Sequence, residues 1–320
     1  MTPPGCLSLS EAKGTVINME EVINKTMDRH DLECASAIKL IDGLNQLIVC
    51  LKQKNLKISS WYGSLNLQSK KDPLEWINRG INYCPLPSAV DDANFPWFLY
   101  WEIIWLLLNN DFKPGQTVLD MGGSSSLFSY FLAHRGLKVT TIDLNKNLVE
   151  NANCTAEKMN WPLRNIAMDM RELSFDEQFD HITSVCVFEH IPMYERVEIN
   201  KGIKRLLRLG GNFSITFDYR NPSKKAVINC PEEVERQFIL PSGLSPRGNV
   251  PFFDNGKNYL LHPFYSVKVS EYDLLHPFYS YKMYKYKKKA VRQGLFDASE
   301  LNVIKTENDY TFGALFLENR

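Results

Sequence analysis

The stretch Val118 to Phe128, Val-Leu-Asp-Met-Gly-Gly-Ser-Ser-Ser-Leu-Phe, constrains this chain more than any other. A short apolar run ends in a carboxylate, a Gly-Gly turn follows, and then come serines able to open a helix. A strand–loop–helix of this kind lets backbone approach a ligand closely where side chains are absent, at Gly122 and Gly123. The free N–H groups of the helix start can donate to that ligand, and the Ser124 hydroxyl adds a further donor. Asp120 sets the sign of the ligand, because a pyrophosphate beside it would meet repulsion of roughly 1 kcal/mol even in a wet site. The loop therefore suits a ligand whose nearby groups are cationic or hydroxylated.

S-adenosylmethionine carries an ammonium, a sulfonium and a ribose but no phosphate, and with this loop the chain resembles the class I methyltransferases. The resemblance implies a three-layer Rossmann-like α/β fold, with a mostly parallel sheet of seven strands, one of them antiparallel at the C-terminus. It also implies S-adenosyl-L-methionine as cofactor. The remaining parts of a nucleoside site follow in order. Val139-Thr140-Thr141-Ile142 ends at Asp143, about 20 residues beyond the glycines, where a carboxylate can accept both ribose hydroxyls, with Leu144 next to it. Ile166-Ala167-Met168-Asp169 reads as a third strand end. Met168 is expected to pack on the adenine, Asp169 to accept from its exocyclic amine, and Met170 to stand beside them. A fourth run, His181 to Val187, leads into Phe188-Glu189-His190-Ile191-Pro192, which resembles the segment after strand four in many small-molecule methyltransferases. Val187 is expected at the cofactor and Phe188 at the substrate. Val197 to Leu209 has helical spacing closed by Gly210-Gly211, and Phe213 to Phe217 alternates as a fifth strand.

Two departures from the family pattern stand out. The usual loop is acidic-x-Gly-x-Gly-x-Gly, whereas Ser124 and Ser126 occupy the later glycine positions and Gly123 fills a spacer. Leu209 precedes Gly210 where the family often has Pro-Gly-Gly.

The chemistry expected is methyl transfer to oxygen or nitrogen of a small-molecule acceptor. His190 is the candidate general base, since an imidazole is suited to proton transfer near neutral pH, and Glu189 would orient it or bind the acceptor. Asp218, Tyr219 and Arg220 follow the fifth strand and are expected to line the substrate side of the cleft. No metal is expected, because adjacent side chains such as Glu189 and His190 generally diverge and a further ligand would be needed. Methylation of nucleic acid or protein is the alternative, but Phe188-Glu189-His190-Ile191 stands where amino-methylating nucleic-acid enzymes carry Asn/Asp-Pro-Pro-aromatic. A non-catalytic nucleoside-binding module is the third reading.

At 320 residues and 44% apolar content the chain can build a substantial core. The reading divides it into a helical accessory region, 1–110, and a methyltransferase domain, 111–320, with 221–300 inserted between strands five and six as a candidate substrate cap. Lys+Arg and Asp+Glu both number 37, so no global field favours nucleic acid or an anionic membrane. Seven cysteines without a C-x-x-C pair point to reduced thiols and a cytoplasmic setting. Trp97 to Leu108 is the most apolar segment, but it contains Glu102 and falls short of the ~20 residues that cross a bilayer, so it reads as a buried helix.

Ala37 to Leu51 recurs at three- and four-residue steps as an amphipathic helix reaching back toward Val16. The aromatic segment between Ser59 and Phe95 is a candidate cap. Leu260 to Ser266 recurs identically at Leu274 to Ser280, and a Lys- and Tyr-rich stretch, Tyr281 to Arg292, follows. One such repeat is too short to make a solenoid. Leu301 to Thr306 and Tyr310 to Leu317 are expected to pair as the last strands. The sequence sets no oligomeric state.

Overall fold

The computed structural model describes residues 22–59, 97–221, 228–260 and 309–320. In chain order these form β1 (Lys25–Thr26), α1 (Ala35–Gln53), α2 (Trp97–Asn109), β2 (Thr117–Met121), α3 (Leu127–His134), β3 (Lys138–Asp143), α4 (Lys146–Met159), β4 (Leu163–Ala167), β5 (Phe179–Val185), α5 (Met193–Leu206) and β6 (Leu207–Tyr219). A helical stretch follows as α6 (Pro231–Val234), a π-helical turn (Glu235–Ile239) and α7 (Leu240–Ser242), then the strands β7 (Ser245–Pro246), β8 (Tyr259–Leu260) and β9 (Asp309–Glu318). The sheet runs β1-β9-β6-β5-β2-β3-β4. Strands β2 to β6 are parallel to their neighbours, and β9 is antiparallel to β6.

The expected α/β sheet is therefore present, with short strands added at its β9 side. β1, β7 and β8 all pair with β9 antiparallel. The duplicated segment beyond Leu260, the Lys- and Tyr-rich stretch, Leu301 to Thr306 and nearly all of the aromatic segment lie outside the described residues.

Period-two alternation places a core on each face of the sheet. In β9, Phe312, Ala314 and Phe316 join one cluster with residues of α1, α2, α3 and α4, while Leu315 and Leu317 join the other with α5 and the 231–242 segment. In β2, Val118 faces the first cluster and Leu119 and Met121 the second. Three layers result. The apolar segment ending in Asn109 is the buried helix expected, and its indoles pin the N-terminal chain: Trp101 Nε1 donates to Asp31 Oδ2 at 2.8 Å and Trp105 Nε1 to the Ile23 carbonyl at 2.9 Å. Among the described residues no helix is long and apolar enough to cross a membrane.

Two boundaries differ from the sequence expectation. α1 begins at Ala35, capped by the Cys34 sulfur accepting from the Ala37 N–H at 3.4 Å, and the residues ahead of it form β1 and a 3-10 turn, Arg29–Leu32, instead of more helix. α5 stops at Leu206, three residues before Leu209, because Leu207 is already paired with Phe179 of β5. Gly210 and Gly211 are consequently not a helix exit but a bend within β6. Gly210 has φ +77°, and a Cβ at Gly211 would lie 2.9 Å from the Arg208 carbonyl.

Strand β2 pairs with β3 on one side and β5 on the other, while the chain turns away to β4 and to β6. This is a topological switch point, and its crevice opens at the carboxyl ends of β2 and β5.

Candidate active site

A cavity of about 530 Å³ occupies that crevice. Its floor is the loop after β2. Gly122 has φ +81°, and a Cβ there would lie 2.7 Å from Val187 Cγ2. A Cβ on Gly123 would lie 1.7 Å from Asp120 Oδ2. The glycine pair is thus demanded by two different neighbours, one in the loop after β5 and one beneath the turn.

Asp120 does not reach the ligand space. Its carboxylate is buried below Gly123, accepting from the Thr183 hydroxyl at 2.9 Å and from the Ser129 hydroxyl, and burial pushes its pKa up to about 6. Asp120 shapes the loop from behind instead of touching a ligand, which corrects its expected role as a direct contact. Ser124 is corrected likewise. Its hydroxyl is buried against Thr141 Oγ1 at 2.7 Å, and Thr141 donates on to Asn165 at 2.6 Å, so this chain of bonds ties β2, β3 and β4 together. Ser126 lines the cavity in its place and caps α3 by accepting from the Ser129 N–H at 3.1 Å.

Asp143 does stand in the wall, with Leu144 beside it. One oxygen accepts from the Asn145 N–H at 2.8 Å, while Oδ2 is buried with no hydrogen-bond partner. Burial pushes this carboxyl up to about 6 as well. An orphaned buried acceptor is costly unless a donor arrives, and a ribose diol supplies two. Met168, Asp169 and Met170 form the adjacent wall. Arg171 engages Asp169 through Nε at 2.9 and 3.0 Å and holds its carboxyl below the usual range. Both Asp169 oxygens accept from Arg171, Oδ1 from its backbone N–H and Nε and Oδ2 from Nε and the terminal guanidinium nitrogen, so an adenine amine would have to share this carboxylate with that guanidinium.

The loop after β5 supplies the opposite wall: Cys186, Val187, Glu189, His190, Ile191 and Pro192. Cys186 has φ +56°, an unusual conformation for a residue with a side chain, fixed by its N–H donating to the Thr216 carbonyl at 3.1 Å. Phe188–His190 forms a 3-10 turn, which brings neighbouring side chains together. His190 Nε2 lies 3.8 Å from Glu189 Oε1, and the His190 side chain is 43% exposed against 1% for Glu189. Phe188 turns the other way, edge-on between Phe213 (6.1 Å) and Phe238 (5.7 Å), so it is a core residue and not a substrate contact.

Of the three residues expected after the fifth strand, only Asp218 lines the cavity. Tyr219 is buried on the opposite face, where its hydroxyl donates to Asp254 Oδ2 at 3.1 Å, and Arg220 pairs with Asp254 Oδ1 at 2.7 Å. Both hold the loop around Asp254 and are withdrawn as cleft residues. Asp218 Oδ2 accepts from Asn221 Nδ2 at 2.6 Å, and the Cys186 thiol lies 3.6 Å from Oδ1.

Several wall residues were not anticipated. Leu99 and Ile103 from α2, Phe128 from α3, and Tyr310 from β9 give the inner end an apolar lining. Ser59 also reaches the cavity, its N–H donating to the Ser125 carbonyl at 2.8 Å, so the start of the aromatic segment does border the site.

Residues 118–211 match the family model described as methyltransferase domain. A ubiquinone biosynthesis O-methyltransferase of Pseudomonas paraeruginosa is 28% identical over 193 residues, covering 52% of this chain and 77% of that protein. One of Coxiella burnetii is 32% identical over 131 residues, 40% of this chain and 54% of that protein, so the chain spans about half the length of that relative. Among solved structures, the PH0226 protein from Pyrococcus horikoshii is 26% identical with a TM-score of 0.34, covering 37% of this chain and 55% of that one.

Proposed function

We propose, for a chain that carries a class I S-adenosylmethionine-dependent methyltransferase domain, that it transfers a methyl group to oxygen or nitrogen of a small organic acceptor bound in this same cavity. The observation that carries the reading is the conjunction of a side-chain-free loop at Gly122–Gly123 with the orphaned Oδ2 of Asp143. The O-methyltransferase relatives support a small-molecule acceptor. A volume of about 530 Å³ suits a nucleoside cofactor with a modest acceptor, and the apolar inner lining suits an organic one.

In this reading Asp143 accepts the ribose hydroxyls and Met168 packs on the adenine, with Asp169 accepting from its amine. Val187 closes over Gly122, and Leu144 and Met170 flank the ring. When bound, the cofactor supplies a methyl group on a positively charged sulfur, an electrophile that needs no further activation. What remains for the protein is alignment, which contributes several kcal/mol, and removal of the acceptor's proton. His190 takes that proton at Nδ1, while Glu189 stands near Nε2 and stabilises the imidazolium formed.

Titration with S-adenosylhomocysteine tests the cofactor assignment. At a hundred times its dissociation constant it should stabilise the fold by about 2.7 kcal/mol by mass action, and NAD at equal concentration should not. Transfer of label from S-adenosyl[methyl-³H]methionine into a small-molecule extract tests turnover. His190→Gln should lower that turnover by about 10²-fold with the S-adenosylhomocysteine shift unchanged. Full activity in His190→Gln removes the base assignment, and an NAD shift without an S-adenosylhomocysteine shift removes the function.

A further inference from the structure

Helix α2 is mostly aliphatic and aromatic and carries a single carboxyl group, Glu102. It is fully buried, and neither carboxylate oxygen makes a hydrogen bond. Its polar neighbours are the Cys186 thiol and the Thr216 hydroxyl, and the charged groups in its range, Glu189 and Asp218, are themselves acidic. Leu99, one turn earlier on the same helix face, lines the inner cavity, as do Cys186, Glu189 and Asp218. One ligand atom from each of Cys186, Glu189 and Asp218 falls within 4.8 Å of the others. The side chains of Cys186, Glu189 and Asp218 therefore crowd the cavity wall, and the Glu102 carboxyl lies buried beside the Cys186 thiol behind it.

An isolated carboxyl in such surroundings is strongly disfavoured as an anion, and burial pushes both Glu102 and the Cys186 thiol well above their ordinary ranges. Neutral acids alone would relieve the repulsion, but they do not explain why an otherwise apolar helix carries Glu102 here. A cation does. Arg196 and His190 both lie near Glu189, but Arg196 directs its guanidinium to the Gln237 side chain and the Ile191 carbonyl.

We infer that this inner end is a cation site for the methyl acceptor, and that the acceptor is an amine bound there as its ammonium by Glu102, Glu189 and Asp218. The inference rests on the function proposed above and specifies its substrate class. The donor set, and not its spacing, favours an ammonium over a divalent metal. The neutral thiol is a donor to Asp218 and a poor metal ligand until it ionises. Walls of Leu99, Ile103 and Tyr310 suit the organic body of an amine better than a hydrated ion.

The test uses the full chain saturated with S-adenosylhomocysteine, with 2-phenylethylamine and 2-phenylethanol as charged and uncharged probes of one shape. The amine should bind at least about tenfold tighter than the alcohol by calorimetry, consistent with a charge-assisted bond. Glu102→Gln and Asp218→Asn should each remove that preference while leaving the S-adenosylhomocysteine shift in melting temperature intact. Glu102→Gln keeps the shape and removes a buried ionisable group, so it should fold. Equal binding of amine and alcohol, or a preference that survives both variants, overturns the inference. So does a saturable response to magnesium, manganese or zinc chloride that both variants abolish, which would make this a metal centre. Loss of the S-adenosylhomocysteine shift in the wild type would count against the function itself and not against the amine site alone.

Discussion

Gly123→Ala should give a protein that no longer binds S-adenosylhomocysteine and melts well below the wild type. The added Cβ would lie 1.7 Å from Asp120 Oδ2, 2.4 Å from its Cγ and 2.9 Å from Ser129 Oγ. Asp120 cannot yield, because its two oxygens are held by different elements, one by Thr183 beside it in the sheet on β5 and one by Ser129 on α3. Relief requires either moving the loop or breaking a buried charge-assisted bond. Overpacking costs roughly 1–3 kcal/mol and a buried bond to a charged group a similar amount, so a loss of about 4 kcal/mol is expected.

Gly122→Ala is the instructive contrast. Its Cβ meets both Val187 methyls, at 2.7 and 3.0 Å, which belong to a loop side chain and not to a carboxylate held at both oxygens, and the left-handed φ of +81° adds roughly 1–2 kcal/mol. Thermal melts of both variants, with calorimetry of S-adenosylhomocysteine binding, decide the ranking. If Gly123→Ala binds normally, Asp120 is not the fixed pillar under the loop described here. A double variant, Asp120→Ser with Gly123→Ala, should recover part of the stability lost by the single change, since the two side chains share one space.

The succession of strands along the chain and the row of carboxylates were legible in the sequence because each belongs to a local strand–helix–strand unit. What the row did not disclose is which way each acid points. Period-two parity supplies that once the layers are known: Asp120 has the parity of Val118 and turns toward the α3 layer, where Ser129 waits. The same rule separates Asp218 from Tyr219. Phe213, Ile215, Phe217 and Tyr219 face the α5 side, while Ser214 bonds Asn110 beyond α2 on the other face, so Asp218 falls on the α2 side with Glu102. Adjacent strand residues could not both line one cleft.

Leu99 and Glu102 were out of reach for a different reason. They stand more than eighty residues before the loop after β5, and only the packing of α2 against the sheet brings them to it. Their one local signal was a lone glutamate in an apolar helix, which the sequence reading used only against a membrane span. The Gly210–Gly211 pair misled because two glycines serve a bend in a strand as well as a helix exit, and the pairing of Leu207 with Phe179 decides between them.

Asp143→Asn should separate binding from stability, with opposite signs. In the folded chain this carboxyl is almost fully buried, has one unpartnered oxygen, and is pushed up to about 6 by burial. Unfolded, it titrates near 3.9. The fold therefore takes up a proton, and stability of the ligand-free protein declines as pH rises from about 4 through about 6. Asparagine removes that liability. Ligand-free Asp143→Asn should exceed the wild type by roughly 2–3 kcal/mol at pH 7.5, and the difference should shrink to about 0.5 kcal/mol near pH 4, where the unfolded carboxyl is about half protonated. Asp120 raises the Asp143 carboxyl further, so the asparagine also eases the titration of Asp120 and the measured difference contains both effects. Binding should move the other way, because an amide offers one acceptor where the carboxylate offers charge-assisted bonds to both ribose hydroxyls. Losing one such bond and the charge behind the other weakens S-adenosylhomocysteine by about 10²-fold. Melting curves from pH 4 to 8 and calorimetry at pH 7.5 measure both arms. A ligand-free variant less stable than the wild type at pH 7.5 would mean Asp143 is held by bonds the structure does not contain, and an unchanged affinity would mean the ribose sits elsewhere.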